Sequence, residues 1–241
     1  MTEINIYPRQ DWLQPVMKVY PPILANKFLP EWYKKQVKNK SLYDTTAAAQ
    51  CPAIKDYLVS GIVIRAWSDI IFNKKTGTLL FNMVLANTTF ENIEHTWIDN
   101  HTGHQIEGME FNTALEAGVL KLITPYNFKT SKGYGLEFID AFYHLRNKLR
   151  FLPARVETDI WHEANFVFDF VNPLETYIDG EVLIKAGDPI CMAVPYKKDV
   201  KSKLIVNDFD YKFYDEHMEK KVLNGSKNHD WNVYKKNAEE E

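Results

Sequence analysis

Val182-Leu-Ile-Lys-Ala-Gly-Asp-Pro-Ile190 is an apolar run, a polar Gly-Asp turn and a second apolar run that continues through Cys191-Met-Ala-Val194. Glycine supplies backbone freedom at a turn, aspartate can bond neighbouring amides, and proline cannot extend a helix, so the phrase reads as strand, turn, strand. Outward from it the same rhythm recurs. Strands are expected over Val119 to Thr124, Gly135 to Ile139, Arg155 to Asp159, Ala164 to Phe170, Glu181 to Lys185 and Ile190 to Tyr196. A hairpin is expected where Ile62 to Phe72 and Leu79 to Leu85 bracket the polar stretch from Asn73 to Thr78. Short strands with turns about every 8 to 12 residues imply a jelly roll, sandwich or partly closed β-barrel.

The flanks read differently. Five prolines between Pro8 and Pro30, among residues such as Trp12, Val19, Leu24 and Phe28, disfavour a continuous helix and predict an extended arm over residues 1–60. Its apolar content requires packing, on its own domain or on a neighbouring subunit. Glu31 to Val37 follows Pro30 and Pro52 to Val59 precedes Gly61, so each suits a short helix. The β domain is expected over 61–203. Over 204–241, Asp208 can cap a helix carrying Phe209, Phe213, Met218 and Val222, with a charged tail from Ser226 to Glu241 pinned in part by Trp231 and Tyr234.

Composition limits function. With 241 residues and 45% hydrophobic content the chain can bury a large core, and its net charge of -3 supplies no global field for nucleic acid or an anionic membrane. Lys34, Lys35, Lys38 and Lys40 beside Trp32 and Tyr33 form the densest basic stretch, which reads as a solvated helix face or as part of a single-strand groove. Apolar runs stop short of the roughly 18 residues a membrane helix needs, and Met1-Thr-Glu-Ile-Asn has no secretory signal pattern. Synthesis in a cytosol is expected. Cys51 and Cys191 read as buried thiols, with one disulfide between them as the alternative; a Cys191 nucleophile is disfavoured because the residue lies in an apolar strand.

The candidate chemistry is sparse. Glu157 and Asp159, two apart on an expected strand, would point the same way and suit general-base or metal work, or simply face water. Glu94-His-Thr-Trp-Ile-Asp-Asn-His-Thr-Gly-His104 gathers His95, His101 and His104 with Glu94 and Asp99, a possible nitrogen and oxygen set for a divalent metal or a polar loop. No cofactor is expected from any phosphate loop, dinucleotide glycine pattern or nucleophile elbow.

Three segments carry a resemblance. Ile123-Thr-Pro-Tyr-Asn-Phe-Lys-Thr-Ser-Lys-Gly-Tyr-Gly-Leu-Glu-Phe138, Phe151-Leu-Pro-Ala-Arg-Val-Glu-Thr-Asp-Ile-Trp-His-Glu163 and the Gly187-Asp188 turn resemble the dUTPase and dCTP-deaminase fold, over about Gly61 to Lys198. The resemblance implies a dUTPase-like β-barrel, a homo-oligomer such as a trimer, and a nucleotide site near Glu157, Asp159 and His162. The chain departs from that family where its chemistry sits. Ile139-Asp140-Ala141-Phe142 stands in place of an Arg-Ser pair, so Asp140 would repel a triphosphate; Ile160 replaces a sugar-stacking tyrosine, and His162 a glycine. The chain is also similar to uncharacterised proteins of tailed phages. That likeness lies in Tyr20-Pro-Pro, Leu29-Pro-Glu-Trp-Tyr-Lys-Lys35, Cys51-Pro, Ser60-Gly61, Ala66-Trp-Ser-Asp69 and the Gly133 to Lys197 block. Together these features lead to the expectation of a non-catalytic phage virion or accessory protein that acts through contacts with itself and other phage proteins. The alternative is a nucleotide-binding or nucleotide-processing protein.

Overall fold

The computed structural model describes residues 2–38, 47–74, 78–82, 84–85, 88–89, 98–101, 108, 119–144 and 148–225. They form a mainly β protein of antiparallel sheets with short helices and one helix near the C-terminal end. The chain divides into two compact units, one of Met1–Phe28 with Ser60–Asp199, the other of Leu29–Val59 with Val200–Glu241. In chain order the elements are β1 (Ile4–Pro8), α1 (Gln14–Val19), β2 (Ile23–Leu24), α2 (Glu31–Lys38), α3 (Pro52–Val59), β3 (Ile62–Arg65) and β4 (Asp69–Asn73). Then come β5 (Thr78–Asn82), β6 (Val84–Leu85), β7 (Thr88–Thr89), β8 (Ile98–His101), β9 (Val119–Thr130), β10 (Tyr134–Asp140), β11 (Leu149–Phe151) and β12 (Ala154–Val156). Last are β13 (Glu163–Phe170), β14 (Val182–Ile184), β15 (Pro189–Lys197) and α4 (Tyr211–Gly225).

Two sheets dominate the first unit. One runs β1-β9-β13-β11 with β8 beside β9; the other runs β12-β10-β15-β3-β2. Alternation on β13 decides which faces turn inward: Ala164, Phe166, Phe168 and Phe170 are buried while Asn165 is exposed. Phe128 and Phe166 from the first sheet meet Phe138 of the second at ring separations of 5.4 and 5.2 Å, so aromatic edges and faces fill the space between them. Such pairs add about 0.5–1.5 kcal/mol each beyond their burial. Trp67 packs edge-on against Tyr126 at 6.0 Å, and the Tyr126 hydroxyl donates to the Tyr20 carbonyl at 2.6 Å. Burial pushes the Tyr126 phenol well above its ordinary value, with Arg65 opposing.

Several sequence expectations are met. The hairpin forms as β4 and β5, with Asn73 opposite Thr78, and α2 and α3 fall on the two punctuated segments. Others need correction. Ile62 to Phe72 is two strands in different sheets, because Ala66 exchanges backbone bonds with the Gly-Asp turn: Ala66 N–H donates to Asp188 O and Gly187 N–H to Ala66 O, both at 2.7 Å. Ala186 N–H also donates to the Asp69 carboxylate at 2.7 Å. Ala66-Trp-Ser-Asp69 therefore serves to anchor the turn that identified the fold.

β9 runs straight through Pro125 instead of stopping at Thr124. Below the proline β9 pairs with β8, above it with β1, and the register with β13 shifts between Glu163 and Asn165, so no ladder bond is asked of the missing N–H. The N-terminal segment contributes β1 to one sheet and β2 to the other within the first unit. At the C-terminal helix the cap is Asp210, not Asp208: Asp210 Oδ1 accepts from Lys212 N–H at 2.8 Å and Phe213 N–H at 3.3 Å. The charged tail from Ser226, with Trp231 and Tyr234, lies outside the described residues. Among the described residues no helix is long and apolar enough to cross a membrane.

Candidate functional site

Three chain segments meet at one end of the β10 sheet. Ser131-Lys132-Gly133 turns β9 into β10, closed by Tyr134 N–H donating to Ser131 O at 3.1 Å, and Gly133 takes φ +83° there. β12 pairs with β10 as far as Leu136 opposite Val156, then turns through 157–162 into β13. β15 lies on the other side of β10, and Lys198, just past its end, donates its N–H to Gly133 O at 2.9 Å.

These termini bring a lysine between two carboxylates. Lys198 Nζ is 2.7 Å from Glu157 Oε2 and 3.0 Å from Asp159 Oδ1, while Gly133 N–H donates to Asp159 Oδ2 at 2.9 Å. The Asp159 side chain is 7% exposed and that of Lys198 12%, against 58% for Glu157, so the inner pair is enclosed and the outer acid faces solvent. The Gly133 amide, and then Lys198, hold the Asp159 carboxyl below its usual range against the opposing effect of burial. Hydrogen bonds to Glu157 and Asp159 push Lys198 up. Beneath them the buried hydroxyls of Thr130 and Thr158 bond each other at 2.9 Å, and Thr130 Oγ1 contacts Tyr134 O at 2.7 Å.

The strand predicted over Arg155 to Asp159 ends at Val156, so Glu157 and Asp159 occupy the following turn and are joined by Lys198 rather than by strand alternation. His162 belongs to the same turn: its Nδ1 lies 3.0 Å from Thr158 O, and its own carbonyl accepts from Phe128 N–H at 2.8 Å. Asp140 is elsewhere. It closes the far end of β10, about 20 Å along the strand from Tyr134 at 3.3 Å per residue, where its Oδ1 accepts from Phe151 N–H at 3.2 Å. Glu157, Asp159 and His162 are therefore neighbours, and Asp140 is not among them.

His95 and His104, with Glu94, lie outside the described residues; His101 ends β8, opposite Val119. Asp99 on the same strand pairs with Lys121 at 2.5 Å. Among the described residues no three histidine, cysteine or acidic side chains converge as a metal set.

Sequence reasoning missed Lys198, Gly133, Thr130 and Thr158. The second of two adjacent lysines at the end of a strand with a continuous buried run carries no periodic signal, and its role appears only when β15 is laid beside β10. Chemically, the formal charges of Lys198, Glu157 and Asp159 sum to -1, which disfavours a phosphate. A carboxylate stabilised in its ionised form by an amide and an ammonium is also a weak proton acceptor.

No protein-family model matches the chain, and no curated protein is similar to it. Among solved structures it is similar to the dUTPase of Staphylococcus bacteriophage 80alpha, a point mutant with dUpNHpp, at 10% identity over 63% of this chain and 78% of that one, with a TM-score of 0.32. It is similar also to a mutant dUTPase from phage phi11 of S. aureus, described for the coordination of a structural Mg(II) ion, at 9% identity over 63% and 85% of the two chains and a TM-score of 0.32. A second phi11 dUTPase structure aligns over 38% of this chain and 73% of that chain, at 11% identity and a TM-score of 0.27.

Proposed function

We propose that this chain is a non-catalytic phage protein, a virion or accessory component that works through protein contacts. The observation that supports this reading is the engagement of Asp159, both of whose oxygens are held inside the fold by Gly133 N–H and Lys198. A general base must be able to receive a proton from a reacting water, whereas this carboxylate joins the β9–β10 turn to the end of β15. Glu157, the exposed acid, shares the same lysine. The test is affinity capture of the tagged full chain from phage-infected cells. The reading expects a fixed protein partner or co-sedimentation with particles. Recovery of the chain alone at every stage of infection would contradict it.

The second reading is a nucleotide-binding or nucleotide-processing protein. It draws on the names of the similar structures, phage dUTPases of which one carries dUpNHpp. It would place a deoxynucleotide, with a divalent metal such as magnesium, beside Glu157 and His162. Under this reading Glu157→Ala abolishes binding.

A further inference from the structure

The segment from Val200 to Tyr214, at the start of the second unit's C-terminal part, is the most apolar exposed stretch among the described residues. Leu204 is 88% exposed, Val206 85% and Tyr211 77%, with Ile205, Phe209 and Phe213 also open to solvent. Large apolar side chains scattered singly need no explanation, but these are consecutive or nearly so. The chain enters the segment through Asp199 at φ +59°, and residues 200–210 form neither helix nor strand before Asp210 caps α4. The aromatic part is already assembled: the Phe209 ring lies 4.9 Å from Tyr211 and 5.7 Å from Tyr214.

Charge says what can cover it. Lys201 and Lys203 precede the aliphatic triplet Leu204-Ile-Val206, whereas Asp208 and Asp210 follow it. Two copies laid antiparallel, centred on Ile205 and Val206, bring the lysines of each against the aspartates of the other, while a parallel pairing would oppose like charges.

We infer that residues 200–211 form a two-fold, antiparallel self-association surface whose occupant is the same segment of a second copy of this chain. The inference deepens the contact role proposed above and rests on it. A two-fold operation makes the surface self-complementary, so each lysine-to-aspartate contact occurs twice.

Sedimentation equilibrium of the full-length chain tests it. The expected mass is that of a dimer. Leu204→Asp with Val206→Asp yields a monomer, with an unchanged thermal melt of the monomeric fold because both positions are exposed. Lys203→Glu and Asp208→Lys each raise the dimer dissociation constant about tenfold at low salt, and the double variant K203E/D208K recovers to within about threefold of the starting value. A wild-type monomer at about 50 µM, a trimer, or a dimer untouched by the aspartate pair would overturn it. A monomer that still captures a phage partner would leave the contact role standing and remove only this surface; nucleotide turnover would remove the contact role whatever the mass.

Discussion

Gly61 is the position where a single methyl group should cost most. It has φ +67°, and a Cβ built there would lie 2.1 Å from the Ala193 carbonyl oxygen and 2.9 Å from Val194 Cα. The left-handed backbone alone costs an alanine about 1–2 kcal/mol. The overlap adds to that. Carbon and oxygen approach to about 3.3 Å at closest comfortable contact, so relief requires a movement of more than about 1 Å. The atom struck is backbone, in a strand held on both sides: Ala193 is opposite Phe138 of β10 and Ile62 of β3. Overpacking of this kind costs about 1–3 kcal/mol, so Gly61→Ala should lose about 2–5 kcal/mol. Gly133→Ala is the control, since φ is +83° but nothing lies within 4 Å of the added methyl; it should lose only the backbone share of about 1–2 kcal/mol. Equilibrium urea unfolding reads both as shifts in midpoint at constant slope. Equal losses for the two variants, or a loss under about 1 kcal/mol at Gly61, would mean that the Ala193 carbonyl yields to the added methyl.

Four further outcomes rest on the described contacts. Tyr126→Phe should lose about 1 kcal/mol in the same assay, because it removes the donor to Tyr20 O without opening a cavity. The Asp159 carboxyl is held below its ordinary 3.8, so the stability it contributes is present above that pH and lost as pH falls through the lowered folded value; Asp159→Asn should remove that acid-side slope. Lys198 is raised above 10.5, so its contribution is complete below that pH and lost as pH rises through the folded value. Lys198→Met should bring the Asp159 carboxyl only part of the way back in a carbon-13 NMR titration, because the Gly133 amide is the larger cause and stays.

The β architecture was legible because its signals are local. Alternation on Ala164 to Phe170 and the Gly-Asp turn at 187–188 specify strand and reversal within a few residues. What was not legible depends on pairing. The break at Ala66 is imposed by a turn about 120 residues later in the chain, and the run through Pro125 is permitted by a change of neighbouring strand that no window of sequence contains. The cluster at Asp159 was half legible: the acids and His162 were found, but Lys198 joins them through a three-strand alignment, and Asp140 was grouped with them by motif position although β10 carries it to the opposite end.

The Glu157 and Asp159 cluster is proposed to be structural. The most direct measurement is thermal shift of the wild-type chain against deoxynucleoside mono-, di- and triphosphates, each with and without magnesium. A ligand at 100 times its dissociation constant stabilises by about 2.7 kcal/mol, which moves a melting temperature by several degrees. A structural cluster gives a flat panel. A shift of that size with one nucleotide, lost in Glu157→Ala, would contradict it.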